Sequence, residues 1–319
     1  MENQEFEITE MSKEQSKLSV EVFGPSGSGK TTALFKIAMG IRDKLYPNEK
    51  LKDICLFVDT ENGSSSKAVG RSIGGEILEA MQLYKFEPPY DIVKLINLIQ
   101  FAENKGFKIM IIDSYTAFWS GKDGILDRAA ELDVELGNQK KMYGAWSEKE
   151  IISKKNLLKL APISSKMHML LGMRAKTEYV IELNKYGKQA PRAVGLKEDM
   201  QGDIRYEADV VLSLDLEEHT AKIVKDRIGF DEMRKVTKPD TEITTEDGRM
   251  LAEIVSQGIS QEDILKRKCK YMIDYILKEK SAKSSKVSTL EQSLGTELTN
   301  EVLLKLDVTK LLKIYEYVK

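Results

Sequence analysis

Short apolar runs alternate with longer amphipathic stretches through most of the chain. Residues 18–23 form a β-rich run that ends in glycine, and residues 31–45 place Leu34, Ile37, Ala38, Ile41 and Leu45 on one helical face before Pro47 stops the pattern. Further apolar runs at 54–58, 107–112 and 167–171 read as buried strands. Residues 92–104 and 148–160 read as helices between them. Residues 208–216 and 220–224 predict a strand pair joined by a polar turn containing Glu217, Glu218 and His219. Strands alternating with helices predict an α/β domain with a mostly parallel sheet covered on both faces. Beyond about residue 240 the pattern becomes purely helical. Ile264, Leu265, Met272, Ile273, Ile276 and Leu277 share one face, a Lys/Ser-rich joint spans 280–288, and two short helices are expected after it. The predicted division is a flexible segment at 1–17, a main domain at 18–240 and a helical C-terminal region at 241–319.

Composition narrows the function classes. The 49 basic and 51 acidic residues leave a net charge of −2, which argues against a surface that grips duplex nucleic acid everywhere. A local basic groove remains compatible with it. Cys55 and Cys269 are the only cysteines of the 319 residues and have no metal-ligand spacing, so zinc and a disulfide framework are not expected and a reducing cytoplasm fits. No apolar run approaches the roughly 20 residues of a membrane span.

One motif has unambiguous chemistry. Gly24-Pro25-Ser26-Gly27-Ser28-Gly29-Lys30-Thr31 satisfies G-x-x-x-x-G-K-[ST], and Thr32 follows it. It sits after a predicted strand and before a predicted helix, where a phosphate cradle requires it. Glycines let the backbone approach phosphate oxygens, successive amides point inward, and the helix N-terminus adds partial positive charge. Lys30 is expected on the β- and γ-phosphates, and the Thr31 hydroxyl on Mg²⁺. ATP with Mg²⁺ is therefore the expected ligand.

Such a cradle needs an acid at the end of a neighbouring buried strand to hold the metal's water shell. Asp113 ends the apolar run at 107–112 and fits that role. A second run ends in Asp59-Thr60-Glu61, and either carboxylate is suited to polarise an attacking water.

In order and spacing these residues resemble the RecA-type recombinase core, which carries a P-loop, a strand ending Asp-x-Glu and a metal-side strand ending Asp-Ser. The resemblance implies that Glu61 is the catalytic base. The segment Lys225-Asp226-Arg227 resembles that family's Lys-x-Arg strand end, which implies Lys225 and Arg227 as cations reaching a neighbouring subunit's γ-phosphate. Within the group, the phrases Asp113-Ser114-Tyr115-Thr116-Ala117, Met173-Arg174-Ala175-Lys176 and Tyr206-Glu207-Ala208-Asp209 are similar to phage ATP-binding proteins of the Sak single-strand-annealing type. The likeness runs from about residue 18 to 230. It implies a cytoplasmic ATPase, in a bacterial host if phage-encoded, that acts on single-stranded DNA, beside a single-strand-binding protein and as a homo-oligomer.

The chain departs from that pattern where RecA has an Asn-Gln pair, reading Leu171-Gly172-Met173-Arg174 instead. The loops that carry DNA in such proteins correspond to 120–144 and 174–205. In the second, Arg174, Lys176, Lys185, Tyr186, Lys188 and Arg192 combine cations for a backbone with a ring for stacking. A nucleotide-switched assembly or regulatory ATPase without a DNA role is the alternative expectation.

Overall fold

The computed structural model describes residues 12–61, 63, 66–137, 144–183, 189–200, 204–237, 241–282 and 284–319. Most of the lead-in segment and the hairpin tip carrying Lys185, Tyr186 and Lys188 lie outside them. In chain order the elements are β1 (Ser19–Gly24), α1 (Lys30–Leu45), α2 (Leu51–Ile54), β2 (Cys55–Asp59), β3 (Ser72–Ile73), β4 (Glu76–Ile77), β5 (Gln82–Lys85), α3 (Ile92–Lys105), β6 (Ile109–Asp113), α4 (Ala117–Ser120), α5 (Ile125–Leu136) and α6 (Lys149–Ser164). There follow β7 (His168–Leu183), β8 (Gln189–Glu198), β9 (Val210–Leu214), β10 (Ala221–Asp226), α7 (Phe230–Thr237), α8 (Thr245–Ser256), α9 (Gln261–Ser281), α10 (Ser285–Leu294), α11 (Asn300–Leu304) and α12 (Val308–Val318). Short 3-10 turns at Gly144–Ser147 and Ile204–Tyr206 connect some of them.

The sheet runs β10-β9-β1-β7-β6-β2-β5, and β8 pairs with the outer part of β7. All neighbours from β9 to β5 are parallel, and β10 and β8 are antiparallel to their partners. Strands β1, β2 and β6 are buried along their whole length, as continuous apolar runs in a sheet covered on both faces must be. Two apolar layers sandwich it. One, built on Leu34, Ile37 and Ile41 of α1, includes Leu251 and Val255. The other joins Leu95 and Ile99 of α3 to Phe118, Ile151 and Leu158. The parallel strands point their C-terminal ends at one rim, where the loops after β1, β2, β6 and β7 gather, and ligands bind α/β sheets at such a rim.

The chain divides into two compact units, Lys17–Ser256 and a second made of the described residues up to Ser16 with Gln257–Lys319. The boundary after residue 240 placed α8 with the C-terminal helices, whereas α8 packs along α1 in the sheet-bearing unit. Its apolar residues find their partner there, and the crossing is tight: a Cβ on Gly40 would lie 2.1 Å from the Thr245 carbonyl oxygen, and one on Gly248 2.4 Å from that of Ile37. In the second unit, α9 to α12 share their own small core of Ile273, Ile276, Val287, Leu303 and Leu311. Three helices follow α9 in place of the two expected.

Candidate functional site

β1 delivers Gly24 to the sheet rim, and the chain turns through Gly27 (φ +88°) and Gly29 (φ +87°) into α1. No side chain caps the N-terminus of α1 and no acid occupies its first turn, so its first amides and partial positive charge face outward. The Lys30 ammonium lies across this loop and donates to the carbonyls of Gly24 (3.1 Å) and Pro25 (2.9 Å). Burial pulls its pKa below the ordinary lysine value, opposed by the charges of Asp113 and Glu61. Together Ser26 to Thr32 form one wall of a cavity of about 640 Å³, within the range of small-molecule sites.

Beneath that wall, Thr31 Oγ1 donates to Asp113 Oδ2 at 2.5 Å. Asp113 is 1% exposed, and burial pushes its pKa up to about 6 despite that hydrogen bond. Its Oδ1 is buried without a partner, as are the hydroxyls of Ser28 and Ser114. Orphaned buried oxygens are costly and need a reason. Asp113 Oδ1 belongs to the carboxylate that meets the Thr31 hydroxyl, and the two residues offer oxygen donors of the kind that suits Mg²⁺. The residues present, Thr31 and Asp113, therefore fit such a metal. The departure from the RecA pattern at Gly172 has a local cause. A Cβ there would stand 2.5 Å from Asp113 Oδ1, so β7 can pass the acid only with glycine at this point.

The two acids after β2 are held differently. Asp59 is buried and its carboxylate accepts the amides of Glu61 (2.8 Å) and Gly63 (3.1 Å), which commits it to shaping the loop. Glu61 lines the cavity. Its Oε1 accepts from Arg174 Nε at 2.9 Å, although the two lie 113 residues apart. Arg174 is the β7 residue level with Gly24, at the point where β7 leaves the sheet and continues into its hairpin with β8.

A family model described as AAA domain matches residues 16–247. The chain belongs to this family, AAA_24. The match covers every strand of the sheet and most of the unit that carries it, so this AAA domain is a P-loop-type ATPase core, with residues 24–31, Asp113 and Glu61 all inside the matched region. No curated protein matches the chain. Among the described residues no helix of the AAA_24 chain is long and apolar enough to cross a membrane.

Other sequence-derived candidates are placed as follows. Lys225 Nζ donates to the carbonyls of Arg205 (2.8 Å), Tyr206 (2.7 Å) and Ala208 (2.5 Å), which uses all three of its protons. Arg227 is exposed and donates to the Tyr206 and Glu207 carbonyls. Neither lines the cavity of its own chain. Lys176 pairs with Asp199 at 2.8 Å, and Arg192 lies on β8 opposite Val180. His168 is a core residue, with Nδ1 accepting the Leu18 amide. His219 does occupy a turn, but it also lines the cavity, as do Lys67, Arg71 and Glu242, which pattern reading passed over. For Lys67 and Arg71 a signal existed, namely two cations within ten residues of Glu61.

Proposed function

We propose that this AAA domain is a Mg-dependent ATPase of RecA type, related to the Sak kind of phage protein, that acts on single-stranded DNA in annealing or strand exchange. The P-loop amides and Lys30 bind the triphosphate, and Thr31 with Asp113 holds the metal. Bound magnesium supplies charge neutralisation on the phosphate oxygens. Glu61 Oε accepts the proton of the attacking water. On assembly into a homo-oligomer, Arg227, and Lys225 if its carbonyls release it, face the neighbouring subunit's terminal phosphate. Lys176, Lys185, Tyr186, Lys188 and Arg192 are the residues that bind the strand, and a single-strand-binding protein is the expected companion in the cytoplasm of a bacterial host.

The observation that carries this reading is the Arg174–Glu61 pair. It ties the base in the nucleotide cavity to the root of the arm that carries the DNA candidates. Phosphates drawn to that arm compete for the guanidinium and free the carboxylate. Steady-state phosphate release with and without oligo-dT tests the proposal. Stimulation by the oligonucleotide is expected. Absence of DNA binding in every nucleotide state at low salt removes the DNA role and leaves a nucleotide-switched assembly ATPase.

A further inference from the structure

The cavity has a second wall that no motif announces. After Glu61 the chain crosses to residues 66–78, where Ala68, Ile73 and Leu78 are buried in the core layer that also contains α1. Backbone bonds fix the segment. Gly70 donates to the Leu78 carbonyl (2.9 Å), Leu78 to that of Arg71 (3.0 Å), and Arg71 to that of Ala68 (3.1 Å), while β3 and β4 close the hairpin. On this frame Lys67 and Arg71 are exposed and line the same cavity as the P-loop.

The charges around the cavity do not balance. Lys30, Lys36, Lys67 and Arg71 line it against Glu61 and Glu242. Lys36 is paired with Glu242 at 3.2 Å, Glu61 with Arg174 at 2.9 Å, and Lys30 is turned onto carbonyls. Among the described residues the side chains of Lys67 and Arg71 make no hydrogen bond and no ion pair. Two cations whose side chains are unpaired among the described residues, on a backbone-bonded segment lining the same cavity as the outward-facing amides of α1, make an anion site with contributions from two parts of the chain.

We propose that Lys67 and Arg71 are polyphosphate-binding residues of the same chain's nucleotide site, so that one subunit supplies the bound triphosphate with cations besides Lys30. This rests on the P-loop cavity being the nucleotide site, and it adds a same-chain contribution to the cross-subunit one that the RecA resemblance implies.

Calorimetric titration of the dilute full-length chain with Mg·AMP-PNP tests it. Lys67→Gln and Arg71→Gln are each expected to weaken binding roughly tenfold, as loss of a hydrogen bond between charged groups does. Arg71→Lys keeps part of that affinity, and Lys105→Gln on the far surface of α3 controls for net charge. If the wild type shows no binding, the nucleotide site itself is wrong. If the wild type binds and both glutamine variants match it, this proposal alone fails. Mixing supplies a second test, in which the Lys67→Gln/Arg71→Gln double variant is combined with Lys30→Ala subunits that retain both cations. Same-chain action predicts no recovery of hydrolysis, and recovery on mixing would place the two cations across a subunit boundary and overturn it.

Discussion

Replacing Arg174 by alanine separates two roles that one guanidinium can play. As a tether, it holds Glu61 in a charged pair at 2.9 Å, and under the proposed function it keeps that carboxylate from water until DNA draws the guanidinium away. The pair is partly solvated, with side chains 58% and 27% exposed for Arg174 and Glu61, so its free energy falls in the range of about 0.2–1 kcal/mol typical of such bridges. Releasing it raises the fraction of free Glu61 by about 1.4-fold to 5-fold. Arg174→Ala is therefore expected to increase DNA-independent phosphate release by no more than about fivefold, and to flatten the response to oligo-dT. Glu61→Gln, in contrast, removes the proton acceptor and is expected to cost about 10²–10⁴ in kcat with nucleotide affinity retained. The assay is steady-state phosphate release for both variants, with and without oligo-dT, normalised to active sites by nucleotide titration. Should Arg174→Ala lose activity on the scale of Glu61→Gln, the arginine is needed by the reaction and the tether is refuted. An unchanged basal rate with full DNA stimulation refutes it equally.

Asp113→Asn keeps the shape of the Thr31 contact but removes the charge, and is expected to lower Mg-dependent hydrolysis about 100-fold or more while metal-free nucleotide binding survives in a calorimeter. Glu21, 2% exposed on β1, has its pKa pushed up to about 8 by burial, with the neighbouring Glu198 charge second. The folded chain keeps this proton between the ordinary 4.5 and about 8 while the unfolded chain releases it, so the group's stability is complete below 4.5 and lost as pH rises through about 8. Glu21→Gln should flatten that loss, whose ceiling is about 5 kcal/mol at about 1.4 kcal/mol per pH unit, and equal slopes of urea stability between pH 5 and 9 for wild type and variant would contradict this. Arg227→Ala is expected to slow hydrolysis only at protein concentrations where light scattering shows assembly, and an equal deficit in dilute monomer removes its cross-subunit role.

Much of the architecture was legible because its causes are local. Continuous apolar runs made β1, β2, β6 and the start of β7 readable, and the P-loop spacing located the cradle without reference to the rest of the chain. The choice between Asp59 and Glu61 was not readable, since both close the same strand. What separates them is tertiary, since the Asp59 carboxylate takes the amides of Glu61 and Gly63 while Glu61 lines the cavity. The Arg174–Glu61 pair was hidden by its 113-residue separation, and Gly172 looked like a lapse from a familial pattern until Asp113 stood opposite it. Helix α8 shows why periodicity has limits. Its Met250, Leu251, Ile254 and Val255 make a face to bury, but such a pattern does not name the partner that buries it. The β3–β4 hairpin, with strands of two residues each, is too short to carry any periodic signal.

The arrangement of Lys225 divides the labour between two cations that share a strand end. An ammonium whose three protons are all committed behaves as a rivet, fastening β10 to the 3-10 turn at Ile204–Tyr206 and the residues just after it. The neighbouring Arg227 also leans on this turn through carbonyls, yet a guanidinium has five protons and keeps some to offer outward. Exchanging the two residues would put a saturable group where reach is wanted and a forked one where a compact plug fits, so their order along the strand is itself a specification.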